Sequence, residues 1–149
     1  MNDSERVGLI PVTMAIIYQD GKYLMQLRDD IPTILYPGVW GLFGGHIEPG
    51  EAPETGLRRE LIEEINYSPS SLTKFRSIFG DKYLRHFFHC PLSVSVSELE
   101  LREGWDLKLL TPQEIETGAA YSEQAGAKKQ LGEMHRQIML DFIATVKRN

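Results

Sequence analysis

Apolar positions recur along this chain with two different periods, and the change from one to the other divides it into strands and helices. Pro11 to Gln19, "PVTMAIIYQ", is apolar and β-branched, Asp20 and Gly21 follow as a turn signal, and Lys22 to Arg28, "KYLMQLR", alternates as a returning strand does. Together they predict a hairpin. Between Asp29 and Pro49 the periodicity dissolves, and Gly38, Gly41, Gly44 and Gly45 crowd around Trp40 and Phe43. Such a segment predicts short extended pieces whose backbone approaches something closely.

From Pro53 the helical period takes over. Leu57, Leu61 and Ile65 form an i, i+4 stripe, Pro53 suits a first turn, Glu54 complements the helix dipole, and Asn66 tolerates the left-handed conformation that ends helices. These signals predict a helix from Pro53 to Ile65, which Gly56 weakens by about 1 kcal/mol relative to Ala. Leu72 to Gly80, Tyr83 to Cys90 and Leu92 to Val96 read as strands, with "GDK" as a tight connection between the first two. In the second of these, Tyr83, Arg85, Phe87 and His89 share one face and Leu84, His86, Phe88 and Cys90 the other.

"GWDLKLLT" reads as a last short strand, leading to "TPQEIE", where Thr111 is placed as an N-cap, Pro112 at the first turn and Glu114 at capping-box spacing. Leu131, Met134, Ile138, Phe142 and Val146 predict a C-terminal helix. Strands flanked by helices on separate sides imply a mixed α/β layered domain.

Composition narrows this picture. At 149 residues and 42% hydrophobic, the chain is expected to form a single domain over residues 1–149. A lone cysteine, Cys90, excludes an intrachain disulfide and a multi-cysteine zinc site and suggests a reducing compartment. The N-terminus, "MNDSERVGLIPV", sets acid and base before a short apolar run, and no apolar stretch approaches the roughly 18 residues of a membrane span. A cytoplasmic protein without membrane association is expected. A net charge of −5 argues against non-specific nucleic-acid binding, so a phosphate-bearing partner would need a local cationic site.

That charge is concentrated. Gly45 to Tyr67 contributes −4 of it, with Glu48, Glu51, Glu54, Glu60, Glu63 and Glu64 set against Arg58 and Arg59. On a helix advancing about 100° per residue, Glu60, Glu63 and Glu64 fall within an arc of roughly 100°, away from the leucine stripe. Helical geometry alone leaves two readings open, a solvated acidic face or a cation site.

The longer register decides between them. Gly45, Glu51, Arg59, Glu60, Glu63 and Glu64 stand at spacings that coincide by chance on the order of one window in ten million. The stretch resembles the Nudix box, the signature of the Nudix hydrolases, over its full 23 residues from Gly45 to Tyr67, departing only at Asn66, where the family usually has Gly. The resemblance implies an αβα sandwich with a mixed central β-sheet and a loop-helix motif. It also implies a metal-dependent pyrophosphohydrolase, using Mg2+ or Mn2+, that cleaves a nucleoside diphosphate linked to another moiety. A (d)NTP or related small-molecule nucleotide is the implied substrate, and a homodimer is a common arrangement in relatives.

By the same resemblance, Glu60 and Glu64 are metal ligands, with Glu63 in or beside their cluster. The Gly44 carbonyl is a further ligand, and Arg59 orients a carboxylate, Glu60 or Glu51. "LREGWD" resembles a segment that brings a distal glutamate to the metal in MutT-like members, which makes Glu103 an extra ligand or base. Arg28 ends the second strand where relatives carry a phosphate-contacting arginine, and His46 follows the double glycine within reach of a phosphate. A tyrosine near the position of Tyr83 serves relatives that act on dinucleoside polyphosphates, at a loose offset. Trp40 and Phe43 are expected to pack under the glycine loop. No GxxxxGK[ST] phosphate loop is present. The alternative is a non-catalytic Nudix-fold module that senses or regulates through a nucleotide; such a module is expected to lose charged box residues, and this chain keeps them.

Overall fold

A computed structural model describes residues 8–34 and 37–148 of the chain, so the expectations for Met1 to Val7 lie outside the described residues. The predicted hairpin forms: β1 spans Ile10–Gln19 and β2 spans Lys22–Leu27. Asp20 and Gly21 join them with φ of 52° and 75°, the paired left-handed turn that matches strand twist.

Strand β1 organises the sheet. One edge pairs in parallel with β6 (Tyr83–Pro91) along its whole length, from Ile10 opposite Tyr83 to Tyr18 opposite Pro91. Its other edge is shared, by β2 near its C-terminal end and by β4 (Phe43–His46) near its start. Strand β3 (Trp40–Gly41) in turn pairs with Gln26 and Leu27 of β2. The segment 40–46 is therefore a wedge driven between two splaying strands, which is why its periodicity could not be read as one strand. β5 (Thr73–Phe79) extends the sheet beyond β6, and β7 (Asp106–Leu110) extends it beyond β2. All pairings except β1 with β6 are antiparallel, so the sheet is mixed.

Alternation along β1 builds a core on each face. Ala15 and Ile17 pack with Phe43, Phe88 and the Leu57, Leu61 and Ile65 stripe of α1 (Pro53–Ile65). Ile16 packs on the opposite face with Trp40, Leu42, Phe87 and the inner side of the last helix. The result is an αβα sandwich. Helix α1 has the predicted boundaries, and Asn66 closes it with φ 54° and ψ 43°, its N–H directed to the Ile62 carbonyl and the following Tyr67 N–H to the Leu61 carbonyl. Helix α2 (Pro112–Thr117) starts with the expected capping box between Thr111 and Glu114.

Two expectations are corrected, and one element had not been expected. Leu92 to Val96 is not a strand: after the Leu92 N–H donates to the Tyr18 carbonyl of β1 at 2.7 Å, side chains take over as partners. The Gln19 amide donates to the Leu92 and Val94 carbonyls, and the Tyr67 hydroxyl accepts from the Ser93 N–H. The C-terminal stripe is shifted. In α3 (Glu133–Arg148) the buried positions are His135, Ile138, Met139, Phe142 and Ile143, whereas Leu131 precedes the helix beside Trp40 and Val146 is exposed. A second hairpin, β8 (Ala119–Ser122) with β9 (Ala127–Gln130), had no apolar alternation to announce it. Among the described residues no helix is long and apolar enough to cross a membrane.

Candidate active site

The site is built where β4 lies against β1 and the C-terminal half of α1. Gly44 sits at φ 149°, and a Cβ there would lie 2.0 Å from the Thr13 carbonyl oxygen, so no side chain fits. Its N–H turns to the helix and donates to Glu64 Oε2 at 3.1 Å. At Gly45 a Cβ would lie 2.7 Å from Glu60 Cδ: the Glu60 carboxylate occupies the space that this glycine leaves open. Gly56 has a comparable role, since a Cβ there would come within 2.8 Å of Glu51 Oε1. The helix-weakening glycine thus makes room for a carboxylate.

Arg59 ties these pieces together. Its Nε and Nη2 donate to the two oxygens of Glu51, each at 3.0 Å, a fork-on-carboxylate geometry. Nη1 donates to Glu60 Oε1 at 3.0 Å and reaches Glu63 Oε2 at 3.5 Å, while Nη2 also donates to the His46 carbonyl at 3.1 Å. Glu51 Oε1 accepts from the Glu48 N–H as well, which pins the loop before the helix. Arg59 thus hydrogen-bonds both Glu51 and Glu60.

The acidic face is not a uniform solvated surface, contrary to the simple helical projection. Glu63 is 59% exposed at its side chain, whereas Glu64 is 4% exposed. Arg59 holds the Glu51 carboxyl below its usual range and is itself made a weaker acid. Burial pushes Glu64 up to about 8, with the charges of Glu60 and Glu103 adding and the Gly44 N–H and Arg28 opposing. Glu60 is raised too, by burial first and then by Glu63 and Glu103, against Arg59.

Among the described residues no three His, Cys, Asp or Glu side chains are gathered into a ready-made metal cage. The donor set nevertheless fits a hard divalent cation. Glu60 and Glu64 bring carboxylate oxygens to adjacent glycines, and burial and like charge make both costly to ionise without a nearby positive charge.

Two clefts adjoin this acidic corner and share Arg28. The first, about 190 Å³, is lined by Val12, Met14 and Leu42 with Gly44, Gly45, Arg28, His46, Tyr83, Arg85 and His135. The second, about 230 Å³, is lined by Arg28, Glu103, Gly104, Gln26, Asp29 and Ile34. The His46 ring stacks on Tyr83 with centroids 6.4 Å apart, and the Arg85 guanidinium lies 5.0 Å from the same tyrosine ring. Guanidiniums and imidazoles in the first cleft, with no carboxylate side chain on its wall, suit an anionic or acceptor-rich ligand.

Comparison with known proteins assigns the family. The NUDIX domain model matches residues 9–131. The chain belongs to the Nudix family. Among curated relatives, the nucleoside triphosphatase NudI of Escherichia coli O1:K1 is 44% identical over 55 residues, covering 36% of this chain and 38% of that protein. The chain is matched over little more than a third of that relative's length. Among solved structures, MutT of Methanosarcina mazei Go1 superposes with a TM-score of 0.67 at 19% identity, covering 93% of this chain and 96% of that one. The NUDIX domain of Shewanella oneidensis NrtR, solved with ADP ribose, superposes with a TM-score of 0.70 at 16% identity, covering 98% and 99%. At these identities the likeness is one of fold, the Nudix αβα sandwich.

Within this Nudix domain the expected residues fall into three groups. Gly44, Glu60 and Glu64 meet at the β4–α1 junction, Arg59 clasps Glu51 and Glu60, and Glu63 lies at the exposed rim. Arg28 and His46 line the first cleft, and Glu103 sits across Arg28 in the second. Sequence reasoning overlooked Arg85 and His135. Arg85 could have been found, since the two-residue period of its strand places it on the same face as Tyr83. His135 carried no signal: it enters from α3, and its Nδ1 accepts from the Leu42 N–H at 3.1 Å. Trp40 and Phe43 are fully buried packing residues, and Cys90 is buried with its thiol pushed up to about 11.

Proposed function

We propose that this chain, as a single domain over residues 1–149, is a metal-dependent pyrophosphohydrolase that cleaves a nucleoside diphosphate linked to another moiety, such as a (d)NTP. The observation that carries this reading is the placement of two desolvated carboxylates, Glu60 and Glu64, against the backbone of Gly44 and Gly45, the same two glycines that line a cationic cleft. The partial match to a nucleoside triphosphatase supports the triphosphate end of the substrate range.

Glu60, Glu64 and the Gly44 carbonyl would hold Mg2+ or Mn2+, with Glu63 and Glu103 able to contribute. When bound, such a cation neutralises pyrophosphate charge and acidifies a water at neutral pH. The remaining work falls to the chain. Arg28 and Arg85 grip phosphate oxygens, so that the nucleotide enters with its anionic chain toward the glycines. The apolar wall of Val12, Met14 and Leu42 takes the less polar end and excludes water there. Arg59 keeps Glu60 aimed inward, and Glu103, beside Arg28, accepts the proton of the attacking water. A nucleoside monophosphate and the remaining phosphate-bearing group leave.

The rival reading is a nucleotide-sensing module without turnover. The intact set of Glu51, Arg59, Glu60, Glu63 and Glu64 argues for hydrolysis, because sensing alone needs no such concentration of carboxylate. Incubation with a panel of nucleotides and Mg2+ tests the proposal: release of a monophosphate from at least one is expected. Nucleotide binding without product would favour the sensor. The proposal includes a cytoplasmic setting and a homodimer, the latter checked by sedimentation.

A further inference from the structure

Across the sheet, on the face covered by α1, runs one row that is not apolar. Gly45 of β4 pairs with Thr13 of β1, Thr13 with His86 of β6, and His86 with Ser77 of β5. The neighbouring row on the same face, Phe43, Ala15 and Phe88, is hydrophobic core. In the polar row the far end is satisfied, since Ser77 Oγ and His86 Nδ1 lie 2.8 Å apart.

Thr13 is different. It is fully buried, and its Oγ1 is the one buried side-chain oxygen or nitrogen among the described residues without a hydrogen-bond partner. A buried hydroxyl left without a partner is costly, so its surroundings have to account for it.

Those surroundings point to Glu60. Directly paired residues on antiparallel strands direct their side chains to the same face, with Cβ positions roughly 5 Å apart. The Cβ position at Gly45 is where the Glu60 carboxylate rests, at 2.7 Å. Thr13 therefore stands beside the pocket that holds Glu60, too far for a bond in this structure and near enough for one bridging molecule. Arg59 engages only Oε1 of Glu60. A single water placed between Thr13 Oγ1 and Oε2, on the Gly45 side of Thr13, would have the two polar partners that a buried water needs at the least.

We propose that Thr13 is a positioning residue for Glu60, its buried hydroxyl holding one water that donates to the Glu60 carboxylate and fixes the oxygen that Arg59 leaves free. This rests on the reading of Glu60 as a metal ligand. The hydroxyl does not touch the substrate. It acts through Glu60, as outer partners of metal ligands do, and loss of such a partner typically weakens metal binding about 10-fold or more.

Thr13→Val and Thr13→Ser separate the hydroxyl from the methyl. Mn2+ binding, followed by electron paramagnetic resonance without substrate, is expected to weaken about 10-fold in Thr13→Val and to return in Thr13→Ser. Wild-type affinity in Thr13→Val together with a higher Tm would overturn the inference, since it marks the hydroxyl as a plain orphan. Weakening in both variants would assign the effect to packing and overturn it equally. A high-resolution crystal structure of the wild-type protein decides the matter independently of metal or turnover: a water bridging Thr13 Oγ1 and Glu60 supports it, and a dry contact refutes it. If the wild type binds no Mn2+, the proposed hydrolase function fails, while the crystallographic result still judges the bridge.

Discussion

Glu51 and Glu64 belong to the same motif and meet opposite electrostatic fates. Glu51 lies under a two-pronged guanidinium, which holds its carboxyl low and its position fixed. Glu64, thirteen residues on, is buried against a backbone N–H, and burial drives its carboxyl up to about 8. Arg59 is the chain's own cation at one end of the cluster, and in the proposed reading a bound metal ion would neutralise the other end. A run of glutamates that looks uniform in sequence is thus graded from Glu51, gripped by Arg59, through Glu60, which Arg59 holds by one oxygen, to Glu64; in the proposed reading the first is the framework half and the last the working half.

The largest expected effect breaks the working half. Glu64→Gln should lower turnover by orders of magnitude while the protein still folds, since a neutral amide suits the buried position; the wild type should gain Tm on adding Mg2+ and the variant should not. A turnover near wild type would remove Glu64 from the working half. The two glycines sharpen the contrast in a different way. Gly44→Ala drives a Cβ into the Thr13 carbonyl and should cost more than about 4 kcal/mol by chemical denaturation. Gly45→Ala meets the movable end of Glu60, so Tm should change little while metal affinity, measured by calorimetry, falls about 10-fold.

The framework half should respond more mildly. Arg59→Lys keeps the charge but loses the fork, so a modest fall in Tm and a several-fold loss of kcat are expected, with Glu51 less firmly held. One effect, on stability alone, lies outside the cluster. Burial, with Arg28 and Arg85 adding, lowers His135 to about 4, against an ordinary value of 6.5. The unfolded chain therefore binds the extra proton first. Stability supplied by neutral His135 is present above pH 6.5 and is lost as pH falls toward 4, by up to about 3 kcal/mol. In His135→Asn, the slope of a urea-unfolding series across that window should flatten.

How much of this was legible depends on how local the cause is. Helix α1 could be bounded to the residue, because its stripe, its Pro53 start and its Asn66 stop are all written within one segment. The same holds for the Thr111–Glu114 capping box. The clustering of Glu51, Arg59 and Glu60 was legible for a similar reason, since a helix and its preceding loop fix their own spacing. Burial of Glu64 was not: a helical wheel shows an arc, but only β4 wedged against β1 determines which edge of that arc is covered. Leu92 to Val96 has the composition of a strand but does not continue β6 past the bond from the Leu92 N–H to Tyr18, because Gln19 and Tyr67, distant in sequence, take the next backbone groups. His135 reaches the cleft from the far end of the chain, and its role depends on a single contact with Leu42.

The parallel pairing of β1 with β6 has a consequence for the order in which the site comes into being. The acidic helix and its glycine loop lie between those two strands in the chain, and β1 remains open along one edge until Tyr83–Pro91 has docked. Local signals can start the helix early, but its bed waits for a partner more than seventy residues downstream of Ile10. Long-range parallel closure is slow. A chain still being synthesised would therefore carry its charged helix exposed and idle until the second half emerges, and competence would arrive late, in one step, with the closing of β1.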